Sequence, residues 1–146
     1  MKLLVKKINI LVGITAVLAF ILYLVLPVIN YGMSSILNGS TFIFGNGGAP
    51  HDAHVGGVIL FIIMVLALIL QAIICLDFLS SYKVEKILKL VSAVFYFGVA
   101  ILMFLSPVFA SLPNPSIGSG SVIAGILLLL TTAGSVTSWL EIQTKK

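Results

Sequence analysis

The chain has 146 residues, of which 60% are hydrophobic and only 8% are charged, and its mean hydropathy is +1.27. Soluble domains carry about a quarter charged residues, so this chain has too few polar groups to cover a soluble globular surface. Long apolar runs also exclude a transmembrane β-barrel, whose strands alternate apolar and polar residues over short segments. The composition predicts an all-α integral membrane protein with a single domain over residues 1–146.

Four apolar runs are each long enough to cross the hydrocarbon core of a bilayer as a helix, which takes about 20 residues. The first run is too long for the apolar part of a signal peptide and has no clear cleavage site, so it is interpreted as a retained helix. The second run is the most uniformly apolar and contains no charged residue. The sequence therefore predicts a four-helix transmembrane bundle with spans over 8–29, 55–76, 87–109 and 121–140.

Lysine supplies all of the positive charge, since the chain has eight lysines, no arginine and a formal net charge of +4. These lysines lie at the N-terminus, at the C-terminus, and around the connection between the second and third spans, where Lys89 is just inside the third span. Because cytoplasmic segments of membrane proteins are enriched in lysine and arginine, both termini are predicted to face the cytoplasm. The lysines flank apolar runs, so they are interpreted as orienting charges and not as a nucleic-acid-binding surface.

His51, Asp52 and His54 directly precede the second span and are the strongest candidates for chemistry. Imidazole nitrogens and a carboxylate suit zinc or a similar metal, although a fourth ligand would have to come from elsewhere. In the simpler interpretation, Asp52 caps the helix and the histidines lie at the level of the lipid headgroups. We favour the simpler interpretation, so the sequence predicts no bound metal and no cofactor.

Other motifs in the sequence point away from catalysis. The glycine-rich segment 45–48 follows no strand and lacks the Lys-Ser/Thr ending of a phosphate-binding loop. Cys75 is the single cysteine and is interpreted as a packing residue, because it cannot form an internal disulfide. No charged residue lies deep in a predicted span, which argues against a stand-alone ion-coupled transporter. No nucleophile paired with a base is visible in the spans, so the chain is predicted not to be an enzyme.

The fourth span is rich in small and hydroxylated residues, several of them four residues apart. Small residues at this spacing let helix backbones approach closely, and hydroxyls can bond across a helix interface. Tight packing within one chain, a contact face for another subunit or a second copy, and a polar pore lining all fit this pattern. The predicted interface residues are Gly125, Thr131, Gly134, Ser135 and Ser138.

These features together predict a small tetraspan protein of the plasma membrane. The use of lysine without arginine in an Ile- and Leu-rich chain indicates a bacterial source with an AT-rich genome. The predicted role is a non-catalytic subunit or partner-binding accessory of a membrane complex of the transport, secretion, envelope or immunity type. The alternative is a homo-oligomeric channel or pore. The predicted partners are the lipid bilayer and either another membrane protein or copies of the same chain, without nucleic acid.

Overall fold

The computed structural model describes residues 2–32, 35–45, 54–76, 82–110 and 112–143. The chain is mostly helical, as predicted, and four of its helices are long and apolar enough to cross a membrane. The helices are α1 (Lys2–Val25), the short α2 (Gly39–Phe44), α3 (Val55–Cys75), α4 (Tyr82–Phe104) and α5 (Ser119–Gln143).

The four long helices pack in a ring in which each contacts the next helix along the chain. Helix α5 lies between α1 and α4, and α3 contacts both α4 and α1 on the opposite side. The centre of the bundle is filled by fully buried side chains that include Tyr23, Met64, Tyr96, Met103 and Leu128. The outward faces are also apolar, and an exposed apolar surface of this extent is typical of contact with lipid or with another protein.

Two helices end earlier than the predicted spans 8–29 and 87–109. Helix α1 ends at Val25, and Pro27–Tyr31 forms strand β1. Proline has no backbone N–H for a helical hydrogen bond, and it disfavours helical geometry in the residue before it. Helix α4 ends at Phe104, and Ser106–Phe109 forms a separate 3₁₀ helix with proline in its first turn. Proline thus sets both boundaries.

The connections after α1 and after α4 join in a small antiparallel sheet, which the sequence did not predict. Strand β1 lies in the middle, between β2 (Ser35–Asn38) and β3 (Ser116–Ile117). Ile29 pairs with Leu37 of β2 on one side and with Ile117 of β3 on the other. We call this end of the bundle the sheet end. The opposite end carries the lysine side chains that the structure describes, and we call it the lysine end.

Candidate functional site

Polar side chains from all four long helices meet inside the bundle near the lysine end. Asn9 of α1 is at the centre of this cluster and is only 7% exposed. Its main-chain oxygen accepts hydrogen bonds from Gln71 Nε2 at 2.8 Å and from Cys75 Sγ at 3.4 Å, both on α3. Its side-chain oxygen accepts a 2.6 Å bond from the Ser138 hydroxyl on α5. Asn9 therefore connects α1 to two neighbouring helices.

Serine hydroxyls connect α4 to α5 at the same level. The oxygens of Ser92 and Ser135 lie 3.1 Å apart, and both are buried. The main-chain oxygen of Lys89 is 3.0 Å from the Ser92 hydroxyl and 3.2 Å from the Ser135 hydroxyl. A hydrogen bond within a folded protein contributes only about 1 kcal/mol net, so these bonds specify the helix pairing more than they add stability.

A buried ion pair completes the cluster. The Lys89 side chain is 1% exposed, and its Nζ lies 2.9 Å from Glu85 Oε1, one turn earlier on α4. Within the described residues, Nζ makes no well-directed hydrogen bond in addition to this ion pair. The Glu85 side chain is 25% exposed, so water can still reach the carboxylate. A fully buried ammonium is costly to desolvate, which makes this pair the most unusual electrostatic feature of the described bundle.

We call the whole cluster the polar layer. Asn9 and Lys89 each lie seven residues after the first residue of their helices, which corresponds to about 10 Å along the axis. Cys75 is the last residue of α3, so the layer extends from this depth to the lysine end of the bundle. Its described members are Asn9, Gln71, Cys75, Glu85, Lys89, Ser92, Ser135 and Ser138.

The five predicted interface residues of α5 all face neighbouring helices of the same chain. Four are buried and Gly134 is half-buried. A Cβ atom added to Gly125 would lie 2.7 Å from the ring of Phe104 on α4. The Thr131 hydroxyl lies 3.0 Å from the Thr15 hydroxyl on α1. Of the alternatives raised by the sequence, this placement favours tight packing within the chain.

Gly134→Leu is expected to weaken the packing of α5 against α1. A Cβ atom at this position would lie 2.9 Å from Val12 Cγ2, so a leucine would force the helices apart and lower the free energy of unfolding by about 2 kcal/mol. Thr137→Val is the matched control, because the Thr137 side chain is exposed and bonds to Ala133 of its own helix. Thermal unfolding in detergent, followed by circular dichroism, should separate the two variants. Equal midpoints would contradict the close approach at Gly134.

The sheet end is tied to the bundle by hydrogen bonds at several points. The Tyr23 hydroxyl lies 2.8 Å from the Ser106 hydroxyl, which connects α1 to the 3₁₀ helix. Ser121 of α5 donates a 3.0 Å bond to the main-chain oxygen of Val28, and the backbone N–H of Gly118 donates to the same oxygen at 2.8 Å. These contacts hold the sheet against the helix ends.

His51 and Asp52 lie outside the described residues, so the absence of a bound metal at this cluster stays a prediction. The structure describes His54, whose ring stacks on Phe42 with centroids 5.2 Å apart. The His54 backbone N–H also donates a 3.0 Å bond to the Phe42 main-chain oxygen, which anchors the start of α3 on α2. Among the described residues, no three His, Cys, Asp or Glu side chains cluster in a way that could hold a metal ion.

Two members of the polar layer were missed by the sequence analysis. Asn9 lies two residues after Lys7 and was included in the first apolar run. Lys89 was placed at the rim of a span, although its four-residue spacing from Glu85 is typical of an ion pair on one helix face. The polar side chain of Asn9 in the first run and the spacing of Glu85 and Lys89 could together have indicated a polar layer at the lysine end.

The fold and the polar layer define a class of protein, a bundle of four helices that are long and apolar enough to span a membrane. Comparison of the chain with protein-family models, with curated proteins and with solved structures found no match.

Proposed function

We propose that the chain is a multi-pass protein of the bacterial plasma membrane, with both termini in the cytoplasm, and that it is a non-catalytic accessory subunit that binds a partner protein. The lysine end would then face the cytoplasm, because lysine is enriched on that side of membrane proteins. The sheet end would face outward. The exposed apolar faces of all four long helices support membrane insertion.

The edge of the small sheet is the observation that carries the partner-binding proposal. Strands β2 and β3 form the two edges, and among the described residues neither has a strand partner on its outer side. Natural edge strands are usually protected from pairing by short length, charged residues, proline or bulges. Strand β2 is short, with four residues, and its pairing with β1 has a register irregularity between Pro27 and Ile29. Strand β2 has the sequence Ser-Ile-Leu-Asn without charge or proline, and Ile36 is 56% exposed. An edge of this kind suits the addition of an extended segment from another protein.

The bonding of the α5 hydroxyls supports the accessory role over the alternative of a homo-oligomeric channel. In that alternative, serine and threonine faces from several copies would line the pore. Thr131, Ser135 and Ser138 instead contact α1 and α4 of their own chain. A pore lined by them would require these internal contacts to break.

The test is co-purification of the natively expressed, tagged protein in mild detergent, with Ile36→Lys as the diagnostic variant. A lysine on the exposed side of β2 should block strand addition, and recovery of the partner should fall about tenfold, as for loss of an important interface residue. Ser40→Lys is the control. Ser40 is exposed, and this variant adds the same positive charge just beyond the end of β2.

A foreign polypeptide recovered at a fixed ratio with the wild type and Ser40→Lys, and lost with Ile36→Lys, would support both the role and the site. Equal recovery with both variants would exclude the β2 edge as the binding site. A closed ring of identical copies without a foreign polypeptide would overturn the accessory role in favour of the channel.

A further inference from the structure

A shallow apolar groove of about 500 Å³ runs along the outside of α1, next to α3. Apolar side chains of α1 between Ile10 and Ile21 line one side, and Cys75 of α3 lies at the other. These eleven residue steps correspond to about 17 Å along the helix axis. The groove therefore occupies part of the helix length and does not extend along the whole bundle.

Gly13 is one of the residues that line this groove. A Cβ atom at Gly13 would lie 3.6 Å from Gln71 Cγ and 3.8 Å from Cys75 Sγ, which is ordinary van der Waals distance. An alanine methyl at this position would therefore contact α3 without a clash, whereas a longer side chain would have to extend along the groove. Nearer the sheet end, the rings of Phe20 and Phe61 bridge α1 and α3 with centroids 5.9 Å apart.

Positive charge lies at the end of the groove nearest the lysine end. Lys6 and Lys7 are exposed, and they precede Ile10 by four and three residues, so they continue the same face of α1. Among the described residues, neither lysine has an ion-pair partner. An apolar groove with two exposed ammonium groups near its end complements a ligand with a hydrocarbon chain and an anionic head.

We propose that this groove binds one acyl chain of an anionic phospholipid, with the lipid phosphate held by Lys6 and Lys7. The length supports a lipid, because one leaflet of a hydrocarbon core about 30 Å thick is about 15 Å deep, close to the length of the groove. A spanning partner helix would need a seam about twice as long. Lysines near a membrane surface attract anionic lipids, which supplies the headgroup contact. The inference rests on the membrane insertion proposed above and is independent of partner binding at β2.

The test is native mass spectrometry of the full chain in detergent, titrated with phosphatidylglycerol or with phosphatidylcholine carrying the same acyl chains. The wild type should retain one phosphatidylglycerol more tightly than phosphatidylcholine. The double variant Lys6→Gln/Lys7→Gln should weaken phosphatidylglycerol binding about thirtyfold, whereas Lys83→Gln should not, because that exposed lysine lies on α4.

A second pair of variants tests the groove itself. Gly13→Leu should fill the groove and abolish the retained lipid. Gly98→Leu is the matched control, because no atom lies within 4 Å of a Cβ atom at Gly98 on α4. Helix content and thermal midpoints of both variants show whether a loss of lipid merely reflects unfolding.

Equal retention of the two lipids by the wild type would overturn the headgroup assignment, and equal retention by Gly13→Leu and Gly98→Leu would overturn the groove. Extraction of the protein from membranes by alkaline carbonate would instead refute membrane insertion. These results are separable from the partner-recovery experiment, which depends on Ile36 at the opposite end.

Discussion

Gly39→Ala is expected to lower the free energy of unfolding by about 3 kcal/mol, at the upper end of the usual effect of overpacking. Gly39 begins α2 and lies directly against the main-chain carbonyl of Tyr23 on α1, and an added Cβ atom would overlap that carbonyl. The carbonyl belongs to a helical backbone and cannot turn aside as a flexible side chain would. The Tyr23 side chain is also fixed, because its hydroxyl bonds to Ser106.

Gly98→Ala is the control for this prediction and should change stability in the opposite direction. Gly98 lies within α4 with no atom within 4 Å of a Cβ atom, and alanine in a helix interior is more favourable than glycine by about 0.5–1 kcal/mol. Gly32→Ala tests the cost of backbone strain without a steric clash, because Gly32 has a φ of 61° and an added Cβ atom would meet open space. It should destabilise by about 1 kcal/mol.

Thermal unfolding of the three variants in one detergent, followed by circular dichroism, provides the measurement. The predicted order of midpoints is Gly98→Ala above wild type, then Gly32→Ala, with Gly39→Ala lowest. A Gly39→Ala midpoint equal to that of Gly32→Ala would show that α2 can move away from α1, and the close approach would then have no structural importance.

The four long helices were predictable from the sequence, whereas the sheet was not. The thickness of a bilayer dictates the length of a spanning helix, so an apolar run of sufficient length identifies one by itself. The strands of the sheet are short, and β3 has only two residues, so no alternating pattern marks it. Its pairing with β1 joins Ile29 to Ile117, which are far apart in the chain, so it depends on the helices already being in place.

The composition of α5 was also predictable, but the direction in which its polar faces point was not. Spacing by four residues places small side chains on one helix face without specifying whether that face meets the same chain or another. The structure shows why the small and hydroxylated residues of α5 all contact the same chain. Helix α5 lies between two neighbours, so Thr131 and Gly134 face α1 while Ser135 faces α4.

The burial of Lys89 could not be predicted, because the predicted start of the third helix was wrong by several residues. The third span was predicted to start at residue 87, which placed Lys89 at the rim. The helix begins at Tyr82, so Lys89 is about two turns inside it, next to α5. Polar residues before an apolar run can extend a helix at little cost, and hydropathy alone does not show that extension.

Glu85→Gln is expected to destabilise the protein more than Lys89→Met does, although lysine is the more deeply buried partner. Removing the carboxylate leaves the ammonium of Lys89 buried without its ion-pair partner, which costs about 3 kcal/mol in comparable pairs. We take the lower end of the known range, because the Glu85 side chain is 25% exposed and water can partly replace it.

Lys89→Met removes the buried charge and keeps an unbranched apolar chain in its place. Replacing a buried ion by an apolar residue of similar volume is often neutral, and the remaining Glu85 carboxylate can take up water through its exposed side. The stability of this variant should therefore stay within about 1 kcal/mol of the wild type. The double variant Glu85→Gln/Lys89→Met should also lie near the wild type, because no unpaired ammonium remains.

Unfolding midpoints of the two single variants and the double variant form a double-mutant cycle that isolates the coupling between the two side chains. The predicted coupling is about 2 kcal/mol or more, because the damage from Glu85→Gln should disappear once Lys89 is methionine. A Glu85→Gln variant as stable as the wild type would mean that the Lys89 ammonium reaches water or another acceptor. In that case the polar layer would be held by its neutral hydrogen bonds around Asn9 and the serines of α4 and α5, with no net contribution from the ion pair.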